Sequence, residues 1–174
     1  MGWTMTETHI PQFLDEIAQS LRTKLVAQSA LILESYERLL ERPLITRTSE
    51  TLSDARALYA APFAVLSHGT DADPILNYAN RTALTLWETT IEVLTATPSR
   101  LTAEPMAREA REKVMGEVTR IGFVTGYSGV RIAATGRRFR IENVTIFNLA
   151  NPDGTFAGQA ATFDRWSDVS PAPI

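Results

Sequence analysis

Three side chains that could do chemistry fall within one short stretch, LSHGTDADPILNYAN: His68, Asp71 and Asp73. As metal ligands they form a His-x-x-Asp-x-Asp set. Three such groups suit a hard or borderline cation, but they normally need support from elsewhere in the chain. The only other histidine is His9, near the N-terminus, so one chain cannot build a three-histidine zinc site. As proton-transfer groups they lack a partner that would complete a triad. The same spacing also makes a turn, with Gly69 and the two aspartates satisfying their own backbone. The turn reading is favoured. It places His68 at the end of a strand and leaves open which face its ring takes.

Other chemistries are bounded by composition. The chain has 174 residues, a net charge of -3, a pI near 5.4, 44% hydrophobic and 21% charged residues, and no cysteine. Without cysteine there are no disulfides, thiolate metal sites, iron–sulfur clusters or thiol nucleophiles. The sequence shows no Gly-x-Ser-x-Gly elbow, P-loop or dinucleotide fingerprint, so no enzyme is indicated. No apolar run approaches the roughly 20 residues a membrane-spanning helix needs. The expectation is a cytoplasmic domain without membrane attachment. MGWTMT matches an N-myristoylation pattern on Gly2, but a cloning remnant preceding a natural start at Met5 is the favoured reading.

The elements that must position these residues follow from periodicity. Ile10, Phe13, Leu14, Ile17, Leu21, Leu25, Ile32, Tyr36, Leu39 and Leu40 recur at helical steps. They predict one amphipathic helix, or two broken near Gln28–Ser29, ended before Pro43. Packing on its own domain and pairing with a second copy weigh evenly for that stripe. Thr51 and Asp54 resemble a capping box opening the helix ARALYAA. FAVLSH and PILNYA read as strands, and Asn80 as the N-cap of RTALTLWE. Short helical turns are expected in TIEVLTATPSRL. From about Glu104 to Ile121, Ala107, Ala110, Val114, Val118 and Ile121 form the clearest stripe of all, with Gly122 placed as a left-handed cap. Three strands follow, FVTGYSGVRIAA, RRFRIENVTIFNLA and TFAGQAATFDRW, before a frayed tail SDVSPAPI.

This order, two strands, helices, one long helix and three strands, resembles a PAS domain. The blocks LYAAPFAVLSHGTDADPILNYANRTALTLWE, PSRLTAEP, GYSGVRIAATGRRFRIENVTIFNL and GQAATF are similar to the bacterial MEKHLA family, a PAS-like module, from about Leu31 to Trp166. The expected fold is therefore α+β: a PAS-like five-stranded antiparallel sheet with helices on one face, preceded by an N-terminal amphipathic helical extension. The division is 1–45 extension, 46–167 PAS-like domain and 168–174 tail. The resemblance implies a sensory or interaction module but names no ligand.

Within that family the cofactor is unknown. Haem is disfavoured: no histidine lies between the second and third strands, and His68, Met106 and Met115 are poor substitutes. Flavin is the stronger case. TPSRLTAEP resembles the segment of light-sensing LOV domains that carries an adduct-forming cysteine before an arginine. Ser99 stands in the cysteine's place here, so cysteinyl–flavin photochemistry is excluded, while noncovalent flavin binding stays open. Arg100 could grip a phosphate or carboxylate. Capping a helix or pairing with Glu104 is its favoured role.

The remaining candidates come from strand alternation. It places Phe139, Ile141, Asn143, Thr145 and Phe147 on one face, with Asn143 and Thr145 as candidate polar groups lining a pocket, the alternative being that Asn143 faces solvent or a sheet bulge. Gln159 shares a face with Ala157, Ala161 and Phe163, and the small alanines leave room for a ligand or a helix. With Tyr127 and Trp87 these make an apolar cavity with a few oriented polar groups. Arg131, Arg137, Arg138 and Arg140 cluster in one hairpin. Phe139 alone interleaves, so a solvated face is favoured over a nucleic-acid patch. The functional expectation is a PAS-like module that binds a small ligand or a protein partner. It would signal through its N-terminal helix and form a homodimer through it. The alternative is a ligand-free dimerisation module with a filled core.

Overall fold

The structure is a computed structural model that describes residues 9–105 and 108–170, apart from the side chains at 108, 111 and 112. The Gly2 motif and the Met106 and Ala107 positions lie outside it. Two strands, β1 (Ala64–His68) and β2 (Leu76–Ala79), form the expected opening hairpin around the Asp71–Asp73 turn. Asn80 then starts helix α3 (Arg81–Trp87). Its side-chain oxygen accepts from the Ala83 and Val65 amides at 3.1 and 3.0 Å, and its amide nitrogen donates to the Phe63 and Leu58 carbonyls. One fully buried residue thus caps a helix and fastens the hairpin to the preceding chain.

The N-terminal stripe forms a 3₁₀ turn (Leu14–Glu16) and one unbroken helix, α1 (Gln19–Leu40). It ends at Glu41 in a left-handed conformation, two residues before Pro43. Helix α2 (Thr51–Tyr59) packs on α1, but the expected capping box is absent. Thr51 is the first helical residue rather than the cap. Asp54 reaches back instead to accept from the Thr48 amide and hydroxyl and from Arg47. After α3 come α4 (Ile91–Leu94), a 3₁₀ turn (Ser99–Thr102) and α5 (Arg108–Ile121). Gly122, at φ +90°, ends α5.

The second half of the sheet is a meander of β3 (Phe123–Ile132), β4 (Arg138–Ala150) and β5 (Phe156–Phe163). The strand order is β2-β1-β5-β4-β3, all antiparallel. A sixth strand, β6 (Arg165–Asp168), continues the line of β5 and pairs with Phe139–Glu142 of β4. The tail expected to fray therefore contributes Ser167 and Asp168 to the sheet.

The break between β5 and β6 faces a bulge in β4. Asn143 there has φ +53° and is exposed. One residue in a left-handed conformation shifts the pleat by one position, so every side chain beyond it changes face. This corrects the alternation expected for β4. Phe139 meets Trp87 of α3 edge-to-face at 5.0 Å. Phe147 lies on the opposite side, where Tyr36 of α1 meets it edge-on at 5.3 Å. The sheet is consequently covered on both faces: α1 seals one, and α3, α4 and α5 lie over the other.

Candidate functional site

Cross-strand partners point to the same face, so the register defines two rows of side chains under the α3–α5 helices. One row is Leu66, Ala161, Ile146 and Val124; the next is His68, Gln159 and Asn148. The second row is polar across three strands. Gln159 donates to the Asn148 side-chain oxygen at 3.2 Å, and the Asn148 amide donates to the Val118 carbonyl of α5 at 3.2 Å. His68 Nδ1 lies 2.8 Å from the Gly69 carbonyl oxygen. A carbonyl only accepts, so Nδ1 is the donor in this contact.

Burial alternates along these strands in an unexpected sense. On β5, Gly158, Ala160 and Thr162 are buried, whereas Ala157, Gln159 and Ala161 are half-exposed. On β4, Thr145, Phe147 and Leu149 are buried, whereas Ile146, Asn148 and Ala150 are half-exposed. The buried set faces α1, and the accessible set faces the other helices. β5 is the central strand, and a central strand with an accessible face marks space that its covering helices do not fill. The cause lies in α5. Of its described residues only Val118 is fully buried; Ala110 is exposed and Ile121 remains 43% exposed. The clearest stripe in the sequence is thus the least used. A groove of about 540 Å³ runs between α5 and β3, lined by Val114, Val124, Tyr127 and Arg131 among others.

β3 is shaped for that groove. Its register slips on both sides of Tyr127. The Tyr127 ring folds over Gly129, where a Cβ would come within 2.7 Å of its hydroxyl, and the Arg131 guanidinium stacks on the ring 5.6 Å from its centre. A glycine is equally required at Gly158, where φ is +124° and a Cβ would lie 2.0 Å from the His68 carbonyl oxygen.

The structure separates the other expected site residues. Trp87 is 3% exposed and packs between Phe139 and Phe163 as a core residue, its indole N–H directed at the Thr102 carbonyl. Thr145 is buried on the α1 face opposite Thr162, and Asn143 faces outward at the bulge, so neither lines the accessible face. Arg100 engages Asp73, its Nε 3.1 and 3.2 Å from the two carboxylate oxygens, rather than Glu104. His68 and Asp73 are thereby drawn to different tasks. Among the described residues no three metal-ligating side chains stand together. Glu104 pairs with Arg138, raising the tendency of that guanidinium to hold its proton. Arg137 pairs with Glu88 and Asp168, and Arg140 with Glu142. Tyr127, Gln159 and His68 do reach the accessible face. Asn148 joins them and was missed, because unbroken alternation from Phe139 assigns it to the other side.

The sequence matches the MEKHLA domain family over residues 26–168. No curated protein matches it. Among solved structures it is similar to a PAS domain from Colwellia psychrerythraea, with TM-score 0.55 and 18% identity over 68% of this chain and 95% of that one. A Light-Oxygen-Voltage domain studied with a flavin analogue gives TM-score 0.53 and 21% identity, covering 68% and 85%. The light-state dimer of the fungal blue-light photoreceptor Vivid gives 0.51 and 13%, covering 75% and 91%. At these identities the likeness is one of fold. Among the described residues no helix is long and apolar enough to cross a membrane.

Proposed function

The chain belongs to the MEKHLA domain family and has a PAS-like fold, and on that premise we propose that it is a sensory module with its ligand site on the half-open sheet face. The observation that carries this reading is the alternation of burial along β5 and β4. A ligand-free module would fill its core, whereas here small alanines and the His68–Gln159–Asn148 row are only partly buried. An apolar surface with a few convergent polar groups is the usual make-up of a small-molecule site.

The output in this reading is α1. It rests on the other face of the same sheet, against β2 and β4 and bonded to β1. Gln28 of α1 donates to Ser67, the neighbour of His68, at 3.0 Å, and Ser35 accepts from the Ala150 amide at 3.1 Å. The seat buries the Tyr78 hydroxyl beneath α1, and burial pushes its ionisation well above the usual phenol range. Leu25, Ile32, Leu33 and Tyr36 of α1 are buried within the domain, so pairing with a second copy through them requires α1 to leave its seat. A ligand favouring one of these two arrangements shifts their populations by its differential affinity. The light-state dimer of Vivid is a structural relative in which a dimer is the described state.

The amide pair Gln159 and Asn148 also supports a more specific ligand, a noncovalent flavin, since two side-chain amides match a planar ring with both donor and acceptor atoms on its edge. When bound, such a group would supply light absorption or redox chemistry, and Gln159, Asn148 and Tyr127 are the residues that would hold it.

The test is mass spectrometry of the purified protein under native conditions, followed by hydrogen exchange on loaded and stripped forms. A bound small molecule, lost on denaturation, whose removal alters exchange in α1 is the expected result; a visible flavin band would identify the class. No bound species, together with no melting shift across a panel of metabolites, contradicts the reading.

A further inference from the structure

The charges around the α5–β3 groove are not balanced by one another. Two carboxylates line it, Glu104 and Glu117, and both are already engaged, by Arg138 and by Arg120 respectively. Two cations line it, Arg131 and Lys113. Neither forms an ion pair with a described residue. The Arg131 guanidinium lies over the Tyr127 ring and donates only to its neighbouring Val130 carbonyl, leaving most of its five N–H groups unused. The ring fixes the plane of the guanidinium, which limits the side-chain entropy lost when an anion docks against it. Val114 and Val124 give the same groove an apolar lining.

We infer that this groove takes an anionic ligand: a carboxylate or phosphate ester whose acid group is held by Arg131 and Lys113 and whose flat apolar body lies along Tyr127, Val114 and Val124. The inference rests on the accessible face being a ligand site and adds the charge class of what enters it. The acid group belongs beside the two cations, and the body along the apolar lining.

Two fluorescent probes of like shape test it on the full chain: anilinonaphthalene sulfonate, which carries an acid, and phenylnaphthylamine, which does not. The sulfonate should bind the wild type at least about tenfold more tightly, as a charge-assisted contact predicts. Arg131→Gln and Lys113→Gln should each remove most of that preference, read as the ratio of the two probes' affinities in the same variant. Arg131→Lys, which keeps the charge, should restore part of it and shows that the loss is not one of folding. Displacement of the sulfonate by phenyl phosphate in preference to benzoate would mark a phosphate ester, and the reverse a carboxylate. Equal affinity for both probes, or a sulfonate preference that survives Arg131→Gln and Lys113→Gln together, overturns the anion assignment while leaving the site standing. Failure of both probes to bind the wild type overturns the site and the assignment together.

Discussion

The sheet face under α1 and the face under α3–α5 share the same strands but are closed in different ways. α1 presents 22 residues and buries Leu25, Ile32, Leu33 and Tyr36, the last edge-on to Phe147 of β4. α5 presents 14 residues and fully buries only Val118 among those described. The helix outside the expected five-stranded core is thus its tightest cover, and the helix inside it is loose. A sealed face contributes stability and a half-open one contributes a site, and a single strand can serve both because its side chains alternate. The arrangement also puts the proposed sensor and its proposed output one residue apart, at His68 and Ser67.

Substitutions on β4 should break this comparison most visibly. Phe147 is fully buried beneath Tyr36, and Phe147→Ala should cost about 3–5 kcal/mol in urea unfolding. Ile146, its neighbour on the open face, is half-exposed, and Ile146→Ala should cost about 1 kcal/mol. Near-equal losses would mean that the two faces are equally packed.

Acid provides a smaller and more local probe. Asp54 of α2, on the α1 side of the molecule, is held below the usual carboxylate range first by Arg47 and then by the Thr48 amide. Its folded-state value is depressed, so its contribution is present above the unfolded-state value and is lost as pH falls through the folded one. Urea midpoints measured from about pH 5 down to about pH 3 should therefore drop less in Asp54→Asn than in the wild type. Hydrogen exchange should show the loss in α1 and α2 before the sheet. An unchanged slope in Asp54→Asn would remove that ion pair from the account.

Much of this was legible in the sequence, and the exceptions share a physical cause. The hairpin around Asp71–Asp73, the Asn80 cap and the Gly122 terminator are local, set by residues that satisfy nearby backbone groups, and local chemistry survives folding. The assignment of Asn143 and Thr145 to a pocket failed because alternation assumes an unbroken pleat. A non-glycine residue at positive φ gives no warning in the pattern, yet it carried Asn148 to the accessible face and Thr145 beneath α1. The α5 stripe failed differently: periodicity reports which side of a helix is apolar, not how closely the sheet approaches it. Arg100 was expected near Glu104 but found Asp73, a partner 27 residues away that only the hairpin brings into reach.

The most direct test of the two-faced sheet uses consecutive residues of β5. Ala160 is 2% exposed on the α1 face, and Ala161 is half-exposed on the other. Urea unfolding should show Ala160→Leu destabilised by about 2–3 kcal/mol through overpacking, and Ala161→Leu changed by less than about 1 kcal/mol because its face is only partly covered. Equal destabilisation by the two substitutions would show a filled core on both faces and contradict the account.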